Sequence, residues 1–282
     1  MFAQSKVYAK PGELLQGALP GYKRFLLSNK SSLFFLNTTE VGIARKSNKQ
    51  QLSYKSQKTI DLFWSSLSSK KQLIDISKLY FKMESNIPVG KGLSSSSADV
   101  LGLLTALSVF YKTEYTIQQL YDLAADVEPT DPCLHSGNLI FGQDNGNIHR
   151  ELLPIPYYLI YFDSDKKGLV DTVSLSQTVK YSDQDLLTYE SLCKRMEAAA
   201  KDKDYETFND CLNKSAERNE VFLPKRKFNI LQDFASTTKT GLFVAHSGTY
   251  MGLVVEPSRI GEIKTKAQEL INKHWDTTIY IE

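Results

Sequence analysis

Apolar and polar side chains alternate from Leu79 to Ile87, a pattern that predicts a strand. Just beyond it, Val100, Leu101, Leu103, Leu104, Leu107, Val109 and Phe110 predict a buried helix. Further strands are predicted over 7–9, 25–28, 33–43, 157–162, 242–245, 251–255 and 277–281. Helical spacing runs over 60–67, 184–200, 205–218 and 228–234, and Pro257-Ser258 opens a last helix to Lys273. Thr116 is placed to cap a helix through Leu120, Leu123 and Ala124, which Pro129 and Pro132 end. Asp144-Asn145-Gly146 predicts a hairpin between 137–142 and 147–148. The segment 11–17, with Pro11 and Gly12 at its start, reads as a turn that passes close to something. Pro154-Ile155-Pro156 breaks the pattern and sets a boundary between a unit at 1–153 and one at 154–282. Strand pairs with helices on one face give the class α+β.

Composition narrows the function classes. The 282 residues are 41% hydrophobic and 23% charged, as in ordinary globular proteins. A formal net charge of +2 gives no global reason to expect nucleic acid or a membrane as partner. The chain has 3 cysteines, Cys133, Cys193 and Cys211, with no Cys-x-x-Cys pair, which argues against zinc. With no apolar signal core in 1–9, they fit a reducing cytoplasm. No apolar run approaches the roughly eighteen residues of a spanning helix.

The candidate chemistry lies between the 79–87 strand and the buried helix. Pro88-Val89-Gly90-Lys91-Gly92-Leu93-Ser94-Ser95-Ser96-Ser97-Ala98 joins a glycine turn to a serine-rich helix start. Glycines let backbone approach a ligand, and a helix N-terminus offers N–H groups and partial positive charge to phosphate. Leu93 after Gly92 excludes a Walker A loop, and Ser95 stands where a dinucleotide fingerprint needs glycine. A second constellation, Glu128-Pro129-Thr130-Asp131-Pro132, sets two carboxylates on a proline-stiffened turn. Beside a phosphate, one acid can hold Mg²⁺ while the other faces an acceptor hydroxyl. No His-x-x-x-His spacing and no Gly-x-Ser-x-Gly elbow is present.

The segment 88–98 resembles the phosphate loop of the GHMP kinases, Pro-x-Gly-x-Gly-Leu-Gly/Ser-Ser-Ser-Ala, with Ser97 where many members have alanine. The segment 244–252, around His246-Ser247-Gly248, is similar to the family's third motif. Sugar and mevalonate kinases often carry lysine or arginine near the N-terminal turn; here Glu13 stands in it, with Lys10 just ahead. The string Gly12-Glu13-Leu14-Leu15-Gln16-Gly17 and the Glu128 to Asp131 turn are similar to the branch that phosphorylates L-threonine for cobalamin side-chain supply.

The resemblance implies a two-domain fold. A ribosomal-protein-like βαβ domain would be followed by a ferredoxin-like one, with ATP along the loop and the acceptor in the cleft. It implies a nucleotide site at Pro88, Gly90, Lys91, Gly92, Leu93, Ser94, Ser95 and Ser96, and Mg²⁺ on Ser96 and Glu128. Asp131 would be the base or the group that positions the acceptor. Glu13, Gln16, Gly17, Ser247 and Gly248 complete the expected acceptor site, with Glu13 drawing an ammonium. The implied activity is ATP-dependent phosphorylation of a small hydroxylated molecule, with L-threonine leading and other amino acids, amino alcohols or polyols as alternatives. A non-catalytic nucleotide sensor would not need the intact loop with both acids, and an RNA-binding protein would show a stronger basic patch.

Overall fold

The computed structural model describes residues 2–44, 52–67, 76–168 and 179–282. The first layer is a three-stranded antiparallel sheet in the order β1-β4-β5, built from Phe2–Tyr8 (β1), Leu36–Ile43 (β4) and Leu79–Ser85 (β5). β1 alternates strictly, with Ala3, Ser5 and Val7 inward, and is longer than the 7–9 segment its apolar residues predict.

Over this sheet lies Ser95–Tyr111 (α2). It buries residues on all sides because the sheet covers one face while Tyr54–Ser66 (α1) and Ile117–Val127 (α3) cover the others. The join between α2 and the sheet is partly polar. Ser5 Oγ donates to the Gly102 carbonyl at 2.7 Å, and a Cβ at Gly102 would stand 2.7 Å from Asn37 Oδ1. α1 starts earlier than its apolar spacing indicates, capped by Ser53, whose Oγ accepts from the Ser56 N–H. Thr116 caps α3 in a full capping box with Gln119.

The second sheet has eight strands in the order β11-β8-β10-β9-β2-β3-β6-β7. These are Glu13–Leu19 (β2), Tyr22–Ser28 (β3), Leu139–Gly142 (β6), Ile148–Glu151 (β7), Tyr158–Asp163 (β8), Gly241–Val244 (β9), Tyr250–Val255 (β10) and Ile279–Ile281 (β11). β2 corrects the turn expected over 11–17. Every residue of it is buried, so it lacks the alternation by which a half-exposed strand is recognised. The turn itself is confined to Gly12, at φ +70°, where a Cβ would meet the Phe243 ring at 2.8 Å.

The sheet runs continuously through strands from both sides of residue 153, joined at the antiparallel pair Glu13↔Val244. Asp183–Asp202 (α4) and Tyr205–Glu220 (α5) pack together and cover β2 and β9. Phe228–Thr238 (α6) lies on β9, and Ile260–His274 (α7) on β8. The mixed layers are α+β, as the element order predicts. No helix among the described residues is long and apolar enough to cross a membrane.

Candidate active site

The glycine loop emerges from β5 and turns into α2 through three left-handed residues, Gly90 (φ 69°), Gly92 (φ 79°) and Ser94 (φ 64°). Ser94 holds the N-cap position, yet its side chain makes no capping bond. The first intrahelical bond of this end is Ala98 N–H to the Ser94 carbonyl at 2.9 Å. Ser94 therefore caps none of the opening N–H groups of α2, and such a helix end favours an anion.

The serines that follow are spent on the two acids. Ser96 Oγ hydrogen-bonds to Glu128 Oε1, and Ser97 Oγ accepts the Asp131 N–H at 2.9 Å. Glu128 is the C-cap of α3, so the end of one helix is tied to the start of another. Adjacent residues of a single turn thus set both carboxylates beside the candidate phosphate site.

Lys55, on α1, completes this corner. Its Nζ lies 2.7 Å from Glu128 Oε2 and also contacts Ser96 Oγ. One turn on, Lys58 Nζ donates to the Val127 carbonyl at 2.8 Å. The Ser96–Glu128 oxygens therefore already surround a cation. Among the described residues no group of three His, Cys, Asp or Glu side chains is placed to hold a metal, so most of a metal's oxygens would come from the nucleotide and water.

Asp131 is 8% exposed and its Oδ1 accepts from Gln143 Nε2 at 2.7 Å. The same Gln143 nitrogen is 3.1 Å from His246 Nε2. On the far side of that ring, His246 Nδ1 is 3.1 Å from Glu13 Oε1, and the His246 backbone N–H donates to Glu13 Oε2 at 2.8 Å. A polar chain thus runs Asp131–Gln143–His246–Glu13 across the joined sheet. Burial opposes protonation of His246, but the Glu13 carboxylate outweighs it and the imidazole pKa is raised.

Lys10 lies fully buried behind Asp131. Its Nζ donates to the carbonyls of Asn29 at 2.9 Å and Gly137 at 3.1 Å. Desolvation brings its pKa down to about 8, against the opposing pull of Cys133 and Asp131. The N-terminal lysine thus reaches the site from just ahead of the Gly12 turn.

The expected residues do not all face one place. Gln16, Gly17 and Ser247 line a pocket walled by Phe25, Tyr189 and Phe222, into which Gln143 and His246 also face. Glu13, 3% exposed, stands behind that wall with its oxygens taken by His246. Lys91 turns away from the loop, pairing with Asp163 at 2.9 Å and donating to the Asp165 carbonyl at 2.6 Å. Leu93 is a core side chain. Gly248 packs under the loop, where a Cβ would sit 2.1 Å from the Lys91 carbonyl oxygen. Lys55 and Gln143 carry no signal in their own sequence neighbourhoods, and Lys10 and His246 lie inside motif segments that do not by themselves assign them a role.

Residues 58–138 match the family described as the GHMP kinases N terminal domain. An L-threonine kinase of Salmonella typhimurium is 26% identical over 68% of this chain and 66% of its own length. One of Citrobacter freundii is 24% identical over 68% of this chain and 69% of its own. The matched stretch therefore spans about two thirds of these relatives. The crystal structure of the Methanococcus jannaschii mevalonate kinase superposes with a TM-score of 0.71, covering 100% of this chain and 98% of the other at 16% identity. The N-terminal family match and the kinase-named relatives support an ATP-dependent phosphotransferase. Residues 58–138 thus match the GHMP kinase N-terminal domain, and the chain shares the fold of the mevalonate kinase along its whole length.

Proposed function

We propose that the chain transfers the γ-phosphoryl group of ATP to the hydroxyl of a small hydroxylated amino acid, with L-threonine as the acceptor. The observation that carries this is the pair of bonds, from Ser96 Oγ to Glu128 Oε1 and from the Asp131 N–H to Ser97 Oγ, which sets both acids at the uncapped start of α2. The two relatives named L-threonine kinase support the acceptor.

In this reading the N–H groups of Leu93 to Ser96 and the loop at Gly90 and Gly92 hold the phosphates. Ser96 and Glu128 fit Mg²⁺, since their oxygens already enclose the Lys55 ammonium. The bound ion supplies neutralisation of phosphate charge. Lys55 swings out to admit it, as a side chain 39% exposed can. Asp131, oriented by Gln143, accepts the acceptor hydroxyl's hydrogen bond and proton, and Lys10 keeps positive charge behind it. The division into domains at 1–153 and 154–282 is part of the proposal. So is a reducing cytoplasm, in keeping with the unpaired, buried Cys133, Cys193 and Cys211.

The test is coupled ADP release. L-Threonine should raise it above the ATPase background, and L-serine should do so about 10- to 200-fold less efficiently for want of one methyl contact. Galactose, mevalonate or glycerol turned over faster than L-threonine would remove the acceptor assignment and leave the kinase. Asp131→Asn should lower kcat by roughly 10²–10⁴-fold with Mg·ATP binding unchanged. A fall under about tenfold with a raised acceptor KM would make Asp131 a positioning group only.

A further inference from the structure

The pocket beside Asp131 holds an unusual surplus of unpaired buried polar atoms. Gln16 (4% exposed), Gln143 (4%) and Asn219 (7%) all line it. Both amide atoms of Gln16, Oε1 of Gln143 and Nδ2 of Asn219 have no hydrogen-bond partner. Buried amides are ordinarily paired, because leaving one unpaired costs the full desolvation of the group.

The orientation of Gln143 is not free. Asp131 only accepts, so the Gln143 nitrogen must face it, and Oε1 is left as an acceptor toward the pocket. The charged side chains around the pocket are already committed: Arg24 to Asp144, Arg218 to Asp185, and His246 to Glu13. The remaining wall is mostly apolar, through Phe25, Leu26, Tyr189 and Phe222, and the Ser247 hydroxyl in it is paired with His246.

We propose that the amides of Gln16, Gln143 and Asn219 are the acceptor's recognition groups, and that they select a net-neutral zwitterion over an anion or a cation. This rests on the phosphotransferase reading and deepens it. Gln143 Oε1 and Gln16 Oε1 accept from the ligand ammonium. Asn219 Nδ2 and Gln16 Nε2 donate to its carboxylate, and the aromatic wall takes its aliphatic part. With Asp131 engaged by the acceptor hydroxyl, a ligand with net charge finds no charged side chain of the pocket wall free to neutralise it and leaves its own charge uncompensated. Glu13, which the sequence suggests for the ammonium, is displaced from that role by its bonds to His246.

The experiment is calorimetric binding to the full chain without nucleotide, so it does not depend on turnover. The parent, Gln16→Met and Asn219→Leu are titrated with L-threonine, with 3-hydroxybutanoate lacking the ammonium, with threoninol lacking the carboxylate, and with larger hydroxylated zwitterions. Both variants should bind L-threonine about tenfold more weakly, while their Tm is unchanged or higher because an unpaired amide has become apolar. For the parent, 3-hydroxybutanoate and threoninol should each bind at least about tenfold more weakly than L-threonine. A lower Tm with unchanged affinity in both variants would make the amides structural and overturn the proposal. So would a parent that binds no zwitterion, or that binds 3-hydroxybutanoate as tightly as L-threonine. A larger zwitterion that binds in place of L-threonine and is lost in the variants would remove L-threonine as acceptor while upholding the amide site. Mg²⁺-dependent binding of a non-hydrolysable ATP analogue, measured in parallel, reports on the phosphotransferase reading separately.

Discussion

On the proposed reading, Lys55 decides when the Ser96–Glu128 site accepts its ion. Its ammonium sits 2.7 Å from Glu128 Oε2 and touches Ser96, the two residues assigned to the metal. An ion pair this exposed is weak, so a divalent cation arriving with a nucleotide can displace it. A free cation without the phosphates has less to gain and is disfavoured by the resident positive charge. Lys55→Met should therefore raise the affinity for Mn²⁺ in the absence of nucleotide, by about tenfold if the pair contributes about 1.4 kcal/mol. Electron paramagnetic resonance of free Mn²⁺ measures this directly. Equal affinity in parent and variant would show that Lys55 does not guard the position.

At the scale of elements, the phosphate loop is half of a joint. Its Lys91 carbonyl accepts the Thr249 N–H at 3.1 Å, and Gly92 lies on the 246–249 turn between β9 and β10. A Cβ at Gly92 would stand 2.4 Å from Ala245 Cβ, at a backbone φ of +79° that branched residues avoid. The glycine is thus required for packing of the loop on this turn, in addition to any approach of phosphate. Gly92→Val should lower unfolding stability by about 2–4 kcal/mol through overpacking and backbone strain. Urea denaturation checks this, and a midpoint equal to the parent's would separate the loop from the turn. Loss of nucleotide binding in that variant then accompanies a weakened fold.

The whole molecule carries a buried cation whose cost depends on pH. Desolvation holds Lys10 to about 8, against about 10.4 in an unfolded chain. Below about pH 8 both states are protonated and the folded one bears the whole cost of the buried charge. Between about 8 and 10.4 the unfolded chain binds more protons, so this contribution to stability rises with pH. Cys133, Cys193 and Cys211, whose pKa values burial raises, work in the opposite direction once their unfolded thiols ionise. Comparison with Lys10→Met isolates the lysine. Relative to the parent, that variant should lose about 2 kcal/mol of stability between pH 7 and pH 10. Denaturant titrations across the range test it, and a constant difference would mean that Lys10 titrates normally.

Much of this architecture is local and so was legible in the residues alone. The loop at Gly90 and Gly92, the hairpin at Gly146, the Thr116 cap and the proline-stiffened Glu128 to Asp131 turn each depend on a few adjacent residues with restricted backbone choices. The all-apolar face of α2 likewise announced its burial. β2 stayed hidden because a strand buried on both faces has no alternation, and its neighbours in the sheet come from both ends of the chain. That Ser94 would leave α2 uncapped, while Ser96 and Ser97 reach the acids, depended on where α3 ends in space. The pairing of Glu13 with His246 spans 233 residues, and no local pattern encodes it. The sequence determined which chemical groups were on hand and the turns that bear them. Only the tertiary structure decided which were paired with each other and which amides were left for a ligand, because that depends on the neighbours packing supplies to each buried atom.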